Sequence, residues 1–128
     1  MNRLCISLIV FSMILASSAH GQEQFQSDII KTSSGDLTIT FIGHGSLMFS
    51  FGGKVIHVDP FSKLADYSKL SKADIVLITH EHRDHLDAPA LEKIRTDSTK
   101  VVLTETCAAQ VSGGTVMKNG DKKTIDGL

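Results

Sequence analysis

Between Thr79 and Asp87 the chain reads Thr-His-Glu-His-Arg-Asp-His-Leu-Asp, and four of the six residues from His80 to His85 carry metal-binding side chains. In extended backbone, side chains two apart point to the same side, so His80 and His82 can offer imidazole nitrogens to one ion. Asp84 and His85 follow a turn later and can face a second ion beside the first. Two ions roughly 3.5 to 4 Å apart can share a bridging hydroxide as nucleophile while polarising a substrate. Imidazole with carboxylate suits Zn2+ first, with Mn2+ or Fe as alternatives, because nitrogen and oxygen donors alone do not settle the metal. One surface histidine or acid is ordinarily a solvated loop residue. Four candidate ligands in this order at the end of an apolar run favour the metal site.

Such ligands need a rigid mount, and the flanking sequence supplies one. Ile75, Val76, Leu77 and Ile78 give Asp74 to Thr79 the continuous apolar character of a strand buried on both faces. On the other side, Asp87 can cap a helix with Pro89 in its first turn and Leu91 and Ile94 on one face, ending near Thr96. Upstream, Leu37 to Ile42, Leu47 to Phe51 and Lys54 to Val58 read as strands, the last two joined by a tight turn at Gly52 and Gly53. Phe61 to Leu70 is expected to hold a short helix, Lys100 to Thr104 a strand and Glu105 to Val111 a short helix. Thr115 to Lys118 with Lys122 to Ile125 should form a hairpin about Asn119, Gly120 and Asp121. Strands alternating with helices indicate α/β layers.

The 128 residues suffice for one domain, and 41% hydrophobic with 21% charged residues excludes a disordered chain. Arg3, the apolar run Leu4 to Ala16 and the small residues Ser17, Ser18, Ala19 and Gly21 read as a secretory signal peptide over 1–21. Cleavage is expected before Gln22, with the bond after Ala19 as second choice. A membrane anchor would need about 20 apolar residues, more than this run provides. The expected location is therefore periplasmic or secreted, with no stable membrane anchor. Cleavage removes Arg3 and no acid, taking the formal charge from −1 to −2, which gives no basis for binding nucleic acid. It also removes Cys5 and leaves Cys107, expected as a small buried apolar residue. The cluster Ser33, Ser34, Gly35, Asp36 marks a turn, so 22–36 is read as an N-terminal extension and 37–128 as the domain.

The series His80-x-His82-x-Asp84-His85 after an apolar strand resembles the HxHxDH motif of the metallo-β-lactamase superfamily. Gly43-His44-Gly45-Ser46 and Val58-Asp59-Pro60 are similar to segments of the branch of ascorbate-phosphate lactonase-like and N-acyl-phosphatidylethanolamine phospholipase-like proteins. The resemblance implies the αβ/βα sandwich of that superfamily, here its N-terminal half. It implies that His80 and His82 bind the first metal, and Asp84 and His85 the second. Asp84, Asp59 and His44 are then the candidate catalytic residues. Asp59 suits a carboxylate that orients a ligand histidine, the alternative being that it only begins a turn before Pro60. His44 would donate to substrate or orient a ligand, the alternative being a hydrogen bond to backbone. His57 is expected to be a satisfied strand histidine, and Glu81 and Arg83 exposed charges.

The superfamily completes its site with a third histidine, a bridging aspartate and a last histidine, whereas no histidine follows His85 here. The expectation is a fragment of a longer enzyme, with two ligands per ion, weak metal binding and poor catalysis by itself. The complete protein would be a metal-dependent hydrolase of an ester, lactone or phosphodiester, with a small-molecule substrate. The competing readings are a noncatalytic metal-binding protein of the cell envelope and an inactive truncated remnant.

Overall fold

The computed structural model describes residues 25–128, so the signal peptide read over 1–21 lies outside the described residues. Seven strands form one sheet in chain order: β1 (Gln26–Thr32), β2 (Gly35–Gly43), β3 (Ser46–Phe51), β4 (Lys54–Val58), β5 (Ile75–Ile78), β6 (Lys100–Leu103) and β7 (Thr115–Val116). β1 to β4 are an antiparallel meander. From β4 onward the pairing is parallel, which requires crossover connections. These carry a 3-10 turn (Tyr67–Lys69), α1 (Ala88–Ile94) and α2 (Glu105–Ala108).

Local chemistry accounts for most boundaries. Gly52 and Gly53 take φ of 57° and 77° between β3 and β4, the conformation a two-residue hairpin turn demands and only glycine adopts freely. Asp87 caps α1 by accepting from the Ala90 N–H, and the same carboxylate takes the Ser62 backbone N–H at 2.7 Å and hydroxyl at 2.6 Å. α1 stops at Ile94, short of Thr96, because Arg95 turns extended and Thr99 Oγ1 accepts the Thr96 N–H at 2.8 Å.

One face of the sheet carries the core. Met48, His57, Val76 and Val101 stand in register across β3 to β6. Tyr67 and the α1 residues Ala90, Leu91 and Ile94 are buried in the same core. The opposite face is also apolar, with Leu47, Val58, Leu77 and Val102 in one row and Phe49, Ile56 and Ile75 in the next. It is covered only in part, by Ile125 and Leu128, and Phe41 in β2 stays 43% exposed.

Three expectations need correction. The polar segment inside 22–36 contains β1, paired along its whole length with β2; every residue of β1 is exposed, so no alternation of burial marked it. The helix expected within Phe61 to Leu70 is one 3-10 turn, capped by Asp66. The hairpin about Asn119 to Asp121 does not form. β7 pairs parallel with β6, a turn closes from the Asp121 N–H to the Lys118 carbonyl at 3.0 Å, and Ile125 packs over the sheet instead of entering a ladder. Among the described residues no helix is long and apolar enough to cross a membrane.

Candidate metal centre

The site lies at one edge of the sheet, where β4 and β5 end and the β2–β3 turn folds over them. Because β4 and β5 run parallel, their C-terminal ends arrive together, the usual place for a site in an open α/β sheet. The Asp59 N–H donates to the Leu77 carbonyl at 2.9 Å. In return the Thr79 N–H donates to Asp59 Oδ1 at 2.8 Å. Two non-glycine residues here occupy the left-handed region, His44 at φ 49° and Asp59 at φ 44°. Such backbone costs on the order of 1 kcal/mol or more and collects at functional sites. Ser46, wholly buried, donates its hydroxyl to the Asp59 carbonyl at 2.5 Å and ties the hairpin turn to the end of β4. Gly45 is pressed so close to His85 that a Cβ there would lie 3.0 Å from His85 Cε1.

A short hydrogen-bond chain fixes the histidines. Asp59, 3% exposed, presents Oδ2 to the Thr79 hydroxyl at 2.6 Å and to His85 Nδ1 at 2.8 Å. A carboxylate offers only lone pairs, so Thr79 and His85 both donate. Having given its one proton to Asp59, the Thr79 hydroxyl accepts from His80 Nδ1 at 2.9 Å. One carboxylate thereby places a ring proton of both His80 and His85 on Nδ1, so that in the neutral form of each ring Nε2 is the lone pair. His80 Nε2 lies 3.1 Å from His82 Nδ1, and the His80 and His85 rings are 3.9 Å apart.

Asp84 faces the outer side of this group. Its Oδ2 is 2.8 Å from His44 Nε2 and 3.6 Å from His85 Nε2. Its own backbone N–H, and then the hydrogen bond from His44, hold the Asp84 carboxyl below the usual carboxylate range. One ligand atom each from His44, Asp84 and His85 lies within 4.8 Å of the others. Imidazole nitrogens freed of protons beside a carboxylate are the donor set that fits Zn2+, Mn2+ or Fe.

His44, Asp59, His80, His82, Asp84 and His85 are all brought to this edge. His57 is not: it lies wholly buried in β4, its Nε2 donating to the Ser71 carbonyl at 3.0 Å while Nδ1 has no partner among the described residues. It is therefore half satisfied. Cys107 is buried beside Thr104. Glu81 and Arg83 are exposed, Glu81 accepting from the Thr106 hydroxyl at 2.9 Å. Thr79 is the residue the sequence reading passed over. Its signal is a hydroxyl at a strand end immediately before the first histidine of the motif.

Residues 38–128 match the beta-lactamase superfamily domain. A UPF0173 metal-dependent hydrolase of Flavobacterium johnsoniae is 45% identical over 64 residues, covering 44% of this chain and 28% of that protein. One of Thermococcus kodakarensis is 32% identical over 99 residues, covering 70% of this chain and 43% of that protein. A crystal structure from Parabacteroides distasonis, named for a metal-dependent hydrolase, superposes with a TM-score of 0.77 at 49% identity, covering 79% of this chain and 46% of that one. In each case the match spans less than half the relative's length. Sheet order, the strand-end cluster and these matches agree: the chain belongs to the metallo-β-lactamase superfamily.

Proposed function

We propose that this chain is the metal-binding part of a metal-dependent hydrolase acting on a small-molecule ester, lactone or phosphodiester. The observation that carries the reading is the convergence of His80, His82, Asp84 and His85, with Nδ1 of His85 bonded to Asp59 and Nδ1 of His80 linked to it through Thr79, which turns Nε2 of each ring toward the cluster. His80 and His82 would hold one ion, Asp84 and His85 the other, with Zn2+ the first choice. When bound, the metal supplies Lewis-acid polarisation of the substrate and a hydroxide nucleophile at neutral pH. Asp59 orients His85 directly and His80 through Thr79. His44 stands at the open side, where its imidazole can meet a substrate oxygen. The names of the relatives support hydrolysis as the chemistry. The Arg3 and Leu4 to Ala16 pattern supports export to the periplasm or medium.

With no histidine after His85, the chain by itself is the better candidate for holding metal than for turnover. The test is His82→Ala, followed by metal analysis after equilibration with Zn2+ and by assays against p-nitrophenyl esters, a lactone and bis-p-nitrophenyl phosphate. The reading expects the metal content to fall, together with any hydrolysis the unaltered chain shows. Unchanged metal content refutes the ligand assignment.

A further inference from the structure

We propose that His44 is a direct ligand of the ion held by Asp84 and His85, so that the β2–β3 turn supplies a third donor to that position. The inference rests on the metal-binding reading above and goes beyond it by changing what His44 does. His44 Nε2 and His85 Nε2 both address the same atom, Asp84 Oδ2, at 2.8 and 3.6 Å. His85 has given its proton to Asp59 through Nδ1, so its Nε2 lone pair faces the lone pairs of a carboxylate oxygen. Two acceptor atoms this close repel until a proton or a metal cation comes between them, and with the third ligand atom, from His44, all three lie within 4.8 Å of one another, close enough for one ion. Three protein ligands with one open position is the usual arrangement of a catalytic zinc ion.

The backbone points the same way. His44 is held at φ 49° in the turn where the β2–β3 register shifts, and its side chain is 55% exposed. The core does not require an imidazole there. A hydrogen bond to Asp84 could be made by an amide of similar reach, such as that of glutamine. What histidine alone adds among such donors is a ring nitrogen whose lone pair can bind a metal when the ring proton sits on Nδ1.

Cobalt(II) titration of the chain, followed by its visible absorption, separates ligation from hydrogen bonding. The variants are His44→Ala, which removes both, and His44→Gln, which keeps an amide donor for Asp84. Ligation predicts that both variants lower Co2+ affinity at one position by about 100-fold or more, above most of the 10- to 100-fold range for residues that only orient a ligand. It also predicts a changed d–d spectrum. The urea midpoint without metal should stay at the wild-type value, because the side chain is more than half exposed. If His44→Gln keeps the wild-type affinity and spectrum, His44 acts only through its hydrogen bond; this inference is overturned while the metal reading stands. A wild-type chain that takes up no Co2+ would overturn both.

Discussion

Replacing Asp59 by asparagine inverts the proton arrangement that suits the histidines to the proposed metal binding. The amide oxygen of the new side chain can keep the Thr79 N–H, bonded at 2.8 Å in the wild type, but the atom at the place of Oδ2 becomes an NH2 donor. Thr79 Oγ1 must then accept from it and give its own proton to His80 Nδ1. His85 Nδ1 must likewise become an acceptor. Both rings carry their proton on Nε2, the atom that now faces His82 in one case and Asp84 in the other. Loss of an orienting partner costs about 10- to 100-fold in metal affinity, equivalent to about 1.4 to 2.7 kcal/mol at each ion. Because one carboxylate serves both rings, the loss should appear at both bound ions. Stability should fall by only about 1 to 3 kcal/mol, the range for weakened buried hydrogen bonds. Long-range nitrogen-15 NMR of the metal-free protein reads the tautomers, and Co2+ titration reads the affinity. The reasoning fails if both rings in Asp59→Asn stay protonated on Nδ1, or if Co2+ binds as it does to the wild type.

Burial holds the pKa of His57 below its ordinary value, and the Ser71 carbonyl opposes the shift only in part. A depressed folded-state pKa means that the unfolded chain takes up the proton first. Stability is therefore complete above the unfolded value of about 6.5 and is lost as pH falls through the folded value. The urea midpoint in EDTA should drop on acidification in the wild type and less in His57→Leu; parallel curves would refute the assignment. The Tyr67 ring, centred 6.0 Å away, and the Ser71 carbonyl face this imidazole, with Met48 and Val76 beside it in register. Ile94→Ala, at a position with 0% exposure, should cost about 2 to 5 kcal/mol and Ile94→Val about 0.5 to 1.5, read as urea-midpoint shifts at constant m. Gly45→Ala places a methyl 3.0 Å from His85 Cε1 and should displace that ring from Asp59. Metal affinity then falls about tenfold, as for a lost orienting partner, while the urea midpoint barely moves.

What could be read from the sequence was what leaves a local trace. The Ile75 to Ile78 run is a strand because four consecutive apolar residues exceed what one face can bury, and Asp87 with Pro89 marks the start of α1 within a residue. The turn at Gly52 and Gly53 was readable because two adjacent glycines have one common use between apolar runs. β1 left no trace, since an edge strand exposed on both faces needs no alternation. The parallel pairing of β7 was equally silent. Whether Thr115 and Val116 pair with a neighbour in sequence or with Val102 and Leu103 is settled by tertiary packing. In the site, the motif marked the residues that converge at the strand ends, but the role of Thr79 depends on Asp59 arriving beside it from another strand. No spacing within Thr79 to His85 encodes that meeting.

The change of strand direction at β4 explains why these residues meet and why they differ in reach. Antiparallel β2, β3 and β4 put the His44 turn and the end of β4 on one edge, with Gly52 and Gly53 on the other. The crossover then brings β5 out at the first edge beside β4. Side-chain exposure grades outward from this junction, from 4% for Asp59 and 17% for His85 to 40% for Asp84 and 55% for His44. The innermost acid is held by the sheet and sets the rings. The outer pair answers to the ligand and has freedom to adjust. Loss of Asp59 should therefore weaken both ions together, whereas loss of Asp84 should weaken one and leave the His80–His82 position near its wild-type affinity. If the two substitutions give the same pattern at both ions, the site is not graded in this way, and the control assigned to Asp59 is wrong.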